Sequence, residues 1–143
     1  RPAYNIEIKS QPEWDGDKTP APEAFARLVL AEVKRLDIAE HSCIQSFDPR
    51  VLQAVHRFDP KITTALLVAN PHGVAANVEA LGYRPPIYSP YYKLLAANVV
   101  DTIHELGMRV IPWTVNDPAE MRTLIDMGVD GIITDYPNRI AEF

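Results

Sequence analysis

Tyr4-Asn5-Ile6-Glu7-Ile8-Lys9 alternates polar and apolar side chains with a period of two, which predicts a β-strand over about 4–9. Ile6 and Ile8 then face one way, while Asn5, Glu7 and Lys9 face the other. A parallel strand covered by helices on both faces is expected to be apolar almost throughout. Three polar residues on one face break that expectation. The pattern allows a solvent-facing edge strand, a Glu7–Lys9 pair that satisfies itself, or a strand whose polar face lines the inside of a β/α barrel. In a barrel, side chains at the C-terminal ends of the strands build the site. A carboxylate there is a hard oxygen ligand for Mg²⁺ or Ca²⁺, and a neighbouring ammonium suits a phosphate.

On the C-terminal side of this stretch the chain alternates short apolar runs with helical patterns, the signature of β/α units and a parallel sheet. A loop from Gln11 to Pro22, rich in Pro, Asp and Gly, precedes a helix with Phe25, Val29, Val33 and Leu36 on one stripe. Further strands are predicted at about 42–47, 62–68, 108–115 and 130–135. Pro86 to Pro90 reads as either a very short strand or a loop. Helices are predicted after residue 48, over about 72–81 ending at Gly82, over about 91–106 closed by Gly107, and over about 118–127.

Three junctions share one pattern: Phe47-Asp48-Pro49, Ala69-Asn70-Pro71 and Asn116-Asp117-Pro118. Asp or Asn accepts an orphan N–H of the helix, and Pro at the first helical position gives up an N–H that would be unpaired anyway. Glu120 stands where a capping box would place it. These acidic residues read as caps before they read as catalytic groups.

Composition narrows the function. A chain of 143 residues is about one domain, and 14 Lys and Arg against 19 Asp and Glu leave a net charge of −5. That balance argues against a nucleic-acid-binding surface or a polybasic membrane patch. No run of apolar residues is long enough to span a membrane. The single cysteine, Cys43, cannot form an intrachain disulfide, so the compartment stays open. His41, His56, His72 and His104 are scattered without metal-ligand spacing, and Asp15-Gly16-Asp17 reads as a turn rather than a calcium loop. Ser46 lacks a nucleophile's partners and reads as a packing or hydrogen-bonding position, and no phosphate-binding glycine loop is present. Trp113, near the end of a predicted strand, suits either the core or a ligand platform. The opening at Arg1, without Met, suggests that the native start lies upstream.

Four segments occur in order: Asn5-Ile6-Glu7-Ile8-Lys9, Gln45-Ser46-Phe47-Asp48, Trp113-Thr114-Val115-Asn116, and Gly128 through Pro137. Together they resemble the glycerophosphodiester phosphodiesterase family across almost the whole chain. The resemblance implies an α/β fold, a TIM-type (β/α) barrel represented here by its C-terminal five to six β/α units, as a single partial domain over residues 1–143. It implies hydrolysis of glycerophosphodiesters to sn-glycerol 3-phosphate and an alcohol, as in lipid and glycerol metabolism, with a divalent cation, Ca²⁺ or Mg²⁺. Glu7 resembles the metal-ligating glutamate of the family and Lys9 the lysine that contacts the phosphate. Trp113 resembles the tryptophan of the substrate pocket, and the Gln45-Ser46-Phe47 segment resembles a conserved rim, with Phe47 expected among the substrate-binding residues.

The family's opening His-Arg-Gly segment, its Glu-x-Asp metal pair and its later His-Asp segment have no counterpart in this sequence. A barrel of eight strands takes about 250 residues. The chain alone is therefore expected to stay open and inactive, and either the remaining part or a second copy would supply the missing wall. Two other readings compete: a non-catalytic module that oligomerises, and another phosphate-binding barrel that holds a phosphate near Gly131.

Overall fold

The computed structural model describes residues 2–143. Arg1, on which the reading of the chain's start falls, lies outside the described residues. Five parallel strands form one sheet in sequence order. They are β1 (Tyr4–Glu7), β2 (Ser42–Ser46), β3 (Thr63–Val68), β4 (Ile87–Pro90) and β5 (Arg109–Val110). The helices between and after them are α1 (Pro22–Arg35), α2 (Pro49–Phe58), α3 (Val74–Leu81), α4 (Ala97–Glu105) and α5 (Pro118–Asp126).

Helix α1 packs on α2, α2 on α3, and α3 on α4, so these helices form one layer on one face of the sheet. A doubly wound sheet would divide its helices between two faces and reverse its strand order. Sequential order with a single helical layer is the geometry of a β/α-barrel segment. The core lies between sheet and helices, where Ile8, Ile44, Leu66 and Val110 from the strands meet Val51, Leu52, Val55, Leu81 and Ile103 from the helices.

Pro86–Pro90 is resolved in favour of a strand: β4 is buried throughout and lies between β3 and β5. Its prolines cannot donate, but Pro86 O accepts from Arg109 N at 2.9 Å and Pro90 O from Trp113 N at 3.1 Å. The predicted strand over 108–115 is regular only at Arg109–Val110. Pro112 removes a ladder donor there, although its carbonyl still accepts from Ile133 N at 2.9 Å. The predicted strand over 130–135 is not regular. It nevertheless runs beside β5, joined by Asp130 N to Val110 O and Val115 N to Ile133 O, both 2.9 Å.

The long helix predicted over 91–106 begins only at Ala97. Tyr91 bridges to Trp113 and Tyr92 N donates to Trp113 O, so sheet pairing takes the residues that would have formed the first turns. A 3₁₀ turn over Tyr92–Leu94 fills the gap. The caps divide in the same way. Asp48 accepts from Arg50 N, and Asp117 accepts from Ala119 N and Glu120 N. Asn70 does not cap a helix: Gly73, at φ +93°, precedes α3, and Asn70 Oδ1 instead closes a local turn onto His72 N. Gly82 ends α3 in the left-handed region that an L side chain disfavours.

Candidate active site at the C-terminal rim of the sheet

The alternation in the first strand places its side chains as the pattern requires. Ile6 and Ile8 pack into the helix-facing core. Asn5 and Glu7 stand on the opposite, inner face, in register with Cys43 and Gln45 of β2. Lys9 follows on the same face, because Ile8 N still pairs with Gln45 O at 2.9 Å and keeps the chain extended. Glu7 and Lys9 are both exposed, and they line a pocket of about 330 Å³ together with Phe47 and Trp14. They are not splayed to opposite surfaces.

Side-chain bonds hold the first two motifs together. Asn5 Nδ2 donates to Gln45 Oε1 at 2.9 Å on the inner face. On the helix side the fully buried Ser46 hydroxyl donates to Ile8 O at 2.7 Å and accepts from Asp48 N at 3.0 Å. Ser46 is thus a hydrogen-bonding position that fixes the backbone beneath Lys9. Ser10 Oγ donates to Asp48 Oδ2 at 2.7 Å, carrying the lock one residue past Lys9.

Asp48 also receives the Arg50 guanidinium, with Nη2 at 2.8 Å from Oδ2 and Nε at 3.0 Å from Oδ1. Burial alone would raise the carboxyl, but the bonds from Arg50 and Ser10 outweigh it and hold Asp48 below its usual range. Asp48 is therefore a charged cap and a tether. It is not among the residues that line the pocket of Glu7 and Lys9.

An aromatic cluster borders the pocket. Phe47 is 46% exposed and meets Trp113 edge to face, with ring centroids 5.4 Å apart. Trp113 Nε1 donates to Ser89 O at 2.8 Å, and Tyr91 packs against the indole at 5.6 Å. Trp113 therefore reaches the Glu7–Lys9 pocket through Phe47, while its own N–H is spent on the sheet. The last two motifs are tied in the same manner as the first two. Asn116 Oδ1 accepts from Thr134 Oγ1 at 3.1 Å and Asp135 N at 3.0 Å, Asn116 Nδ2 donates to Asp135 Oδ2 at 2.9 Å, and Arg139 donates to Asn116 O.

His56 and His104 lie apart from this rim, and no histidine is among the residues lining the Glu7–Lys9 pocket. His104 Nε2 pairs with Asp130 Oδ2 at 2.8 Å, and His56 stacks on Tyr83 at 4.0 Å. Burial pushes the Cys43 thiol up to about 11, against the opposing charge of Arg109, so it stays protonated and unreactive at neutral pH. Among the described residues no three His, Cys, Asp or Glu side chains gather as a metal site. A Ca²⁺ or Mg²⁺ ion takes six or more oxygen ligands. Glu7 offers one carboxylate, so the described residues do not by themselves make such a centre.

Sequence reading missed Trp14, Tyr91 and Arg50. Trp14 sits in a loop that carries no periodic signal, Tyr91 falls within a helical pattern, and nothing local announces that Arg50 reaches across 35 positions to Asp15.

A single layer of helices on a parallel sheet in sequence order, with a carboxylate and an ammonium on the bare face near the strand ends, defines a segment of a β/α barrel. The chain belongs to the glycerophosphoryl diester phosphodiesterase family, whose model matches residues 2–139. It is 31% identical to the glycerophosphodiester phosphodiesterase of Bacillus subtilis over 144 residues, covering 94% of this chain and 46% of that protein. A crystal structure from Silicibacter pomeroyi superposes with a TM-score of 0.81 at 32% identity, covering 96% of this chain and 48% of that one. A glycerophosphodiester phosphodiesterase structure from Parabacteroides distasonis gives 0.76 at 29% identity, covering 96% and 54%. The chain spans about half the length of these relatives.

Proposed function

We propose that these residues form part of a glycerophosphodiester phosphodiesterase, which hydrolyses a glycerophosphodiester to sn-glycerol 3-phosphate and an alcohol. The observation that carries the reading is the placement of Glu7 and Lys9 side by side in one pocket at the C-terminal end of β1, in a chain of this family. The Lys9 ammonium is free of any ion pair among the described residues, so its charge is available to a phosphodiester and to the charge that builds on its oxygens during attack. Phe47 and, behind it, Trp113 supply an apolar border that narrows the approach of water to one side of that charge. Glu7 would supply one oxygen ligand to a divalent cation, and among the described residues no group of three His, Cys, Asp or Glu side chains completes such a site. Among the described residues no histidine lines the pocket with Lys9, and we infer that these 143 residues alone are inactive and that hydrolysis draws on further residues.

The test is release of sn-glycerol 3-phosphate from glycerophosphocholine by the intact protein that contains this chain, with Mg²⁺ or Ca²⁺ titrated. Glu7→Ala is expected to raise the cation concentration needed for half-maximal rate by about tenfold or more. An unchanged cation requirement would remove Glu7 from the metal site, and turnover by the 143 residues alone would refute the inactivity.

A further inference from the structure

The loop between β1 and α1 is more ordered than its composition suggests. Trp14 O accepts N–H groups from Asp17 and Lys18 at 3.0 Å and from Thr19 at 3.1 Å, and Gly16, at φ +77°, lets the chain turn back on itself. The turn is fastened to α2. Arg50 donates from Nη1 to Asp15 Oδ2 at 2.7 Å and from Nη2 to Asp15 Oδ1 at 3.1 Å, while the same guanidinium holds Asp48. One planar fork therefore joins the residue after Trp14 to the residue after Phe47. The two aromatic side chains border the same pocket as Lys9.

We propose that Trp14 is a substrate-contact residue, that it forms with Phe47 an aromatic-walled slot beside Lys9 for the alcohol arm of the phosphodiester, and that Arg50 is its positioning residue. The inference rests on the phosphodiesterase reading above. A diester has two arms, and once Lys9 draws the phosphate, one arm must lie against whatever flanks the ammonium. Two aromatic walls receive a methyl-rich cationic arm better than a hydrated polyol, because the ring faces attract positive charge and lose little hydration. The indole already draws one cation, the Lys18 ammonium 5.7 Å from its ring centroid, which the arm would displace or avoid on the opposite face. A preference for a quaternary-ammonium arm of roughly two- to thirtyfold is the scale such contacts give.

The experiment compares glycerophosphocholine with glycerophosphoglycerol as substrates of the intact protein. Trp14→Ala is expected to raise KM for glycerophosphocholine about tenfold with kcat within about twofold, and to leave glycerophosphoglycerol within about twofold. Trp14→Phe should recover most of the loss. Arg50→Ala should reproduce the Trp14→Ala pattern in part, with kcat again spared. Equal loss on both substrates, or no change on either, would overturn the slot. If the wild-type protein hydrolyses neither substrate, the phosphodiesterase reading falls on its own. Calorimetric titration with glycerophosphocholine then decides the slot: tighter binding by the wild type than by Trp14→Ala upholds it, and equal affinity overturns it.

Discussion

The two faces of the sheet are built from alternate residues of the same strands, yet they obey different rules. On the helix side Ile8, Ile44, Leu66 and Val110 are at most 5% exposed and belong to one continuous core with α1 to α4. On the inner side Asn5, Glu7, Lys9, Phe47 and Arg109 remain exposed, and a further cavity of about 440 Å³ opens along the lower half of that face. The helix side is packed over the middle of the sheet, although Leu28 and Leu36 stay exposed along its β1 edge. The inner side carries the proposed site residues and is not covered by the described residues. Stability and function are thus assigned to opposite sides of one backbone, one residue apart.

Neighbouring residues test that division. Ile8→Ala should destabilise the protein by about 2–5 kcal/mol, because it empties a packed site that is 1% exposed; denaturant unfolding measures it. Lys9→Ala, the next residue, should change stability by no more than about 0.5 kcal/mol while lowering kcat/KM for a glycerophosphodiester in the intact protein by about 10²–10³. Equal stability losses at the two positions would break the comparison. A smaller effect lies at the end of the sheet: Asp117→Ala removes the acceptor for Ala119 N and Glu120 N and should cost about 1 kcal/mol, with activity spared.

Acid sharpens the picture further. The Asp48 carboxyl titrates below its ordinary value of 3.8 in the folded protein. Its contribution is therefore complete above that value and is lost as the pH falls through the folded pKa. Asp48→Asn keeps the cap acceptor but not the charge. Thermal unfolding of wild type and variant should differ most above about pH 4 and converge in stronger acid. A gap that stays constant to low pH would mean that the charge on Asp48 contributes nothing to the fork with Arg50.

Much of the architecture was legible because it depends on neighbours in sequence. The period of two in Tyr4 to Lys9, the stripe of Phe25, Val29 and Val33, and the Asp-Pro junctions at residues 48 and 117 each specify local geometry. Residues 91–96 have a helical pattern but are drawn into pairing with Trp113, and Pro112 breaks the ladder that the pattern of 108–115 implies. Asn70 has the right neighbour for a cap, but the chain turns before the helix begins. In the first two cases a contact from a distant strand, or a missing donor, overrode a local preference.

The candidate site divides in the same way. Glu7 and Lys9 could be read from the strand itself, since alternation fixes which residues share a face whatever the strand packs against. Trp14 could not, because its position comes from the Arg50 fork, and Phe47 and Trp113 meet only because β3 and β4 curve between their strands. By itself the sequence determined the class of fold, the polar face and the family, all of which rest on backbone period and residue order. Tertiary structure decided which side chains gather at the rim, because those distances are set by the register and curvature of strands far apart along the chain.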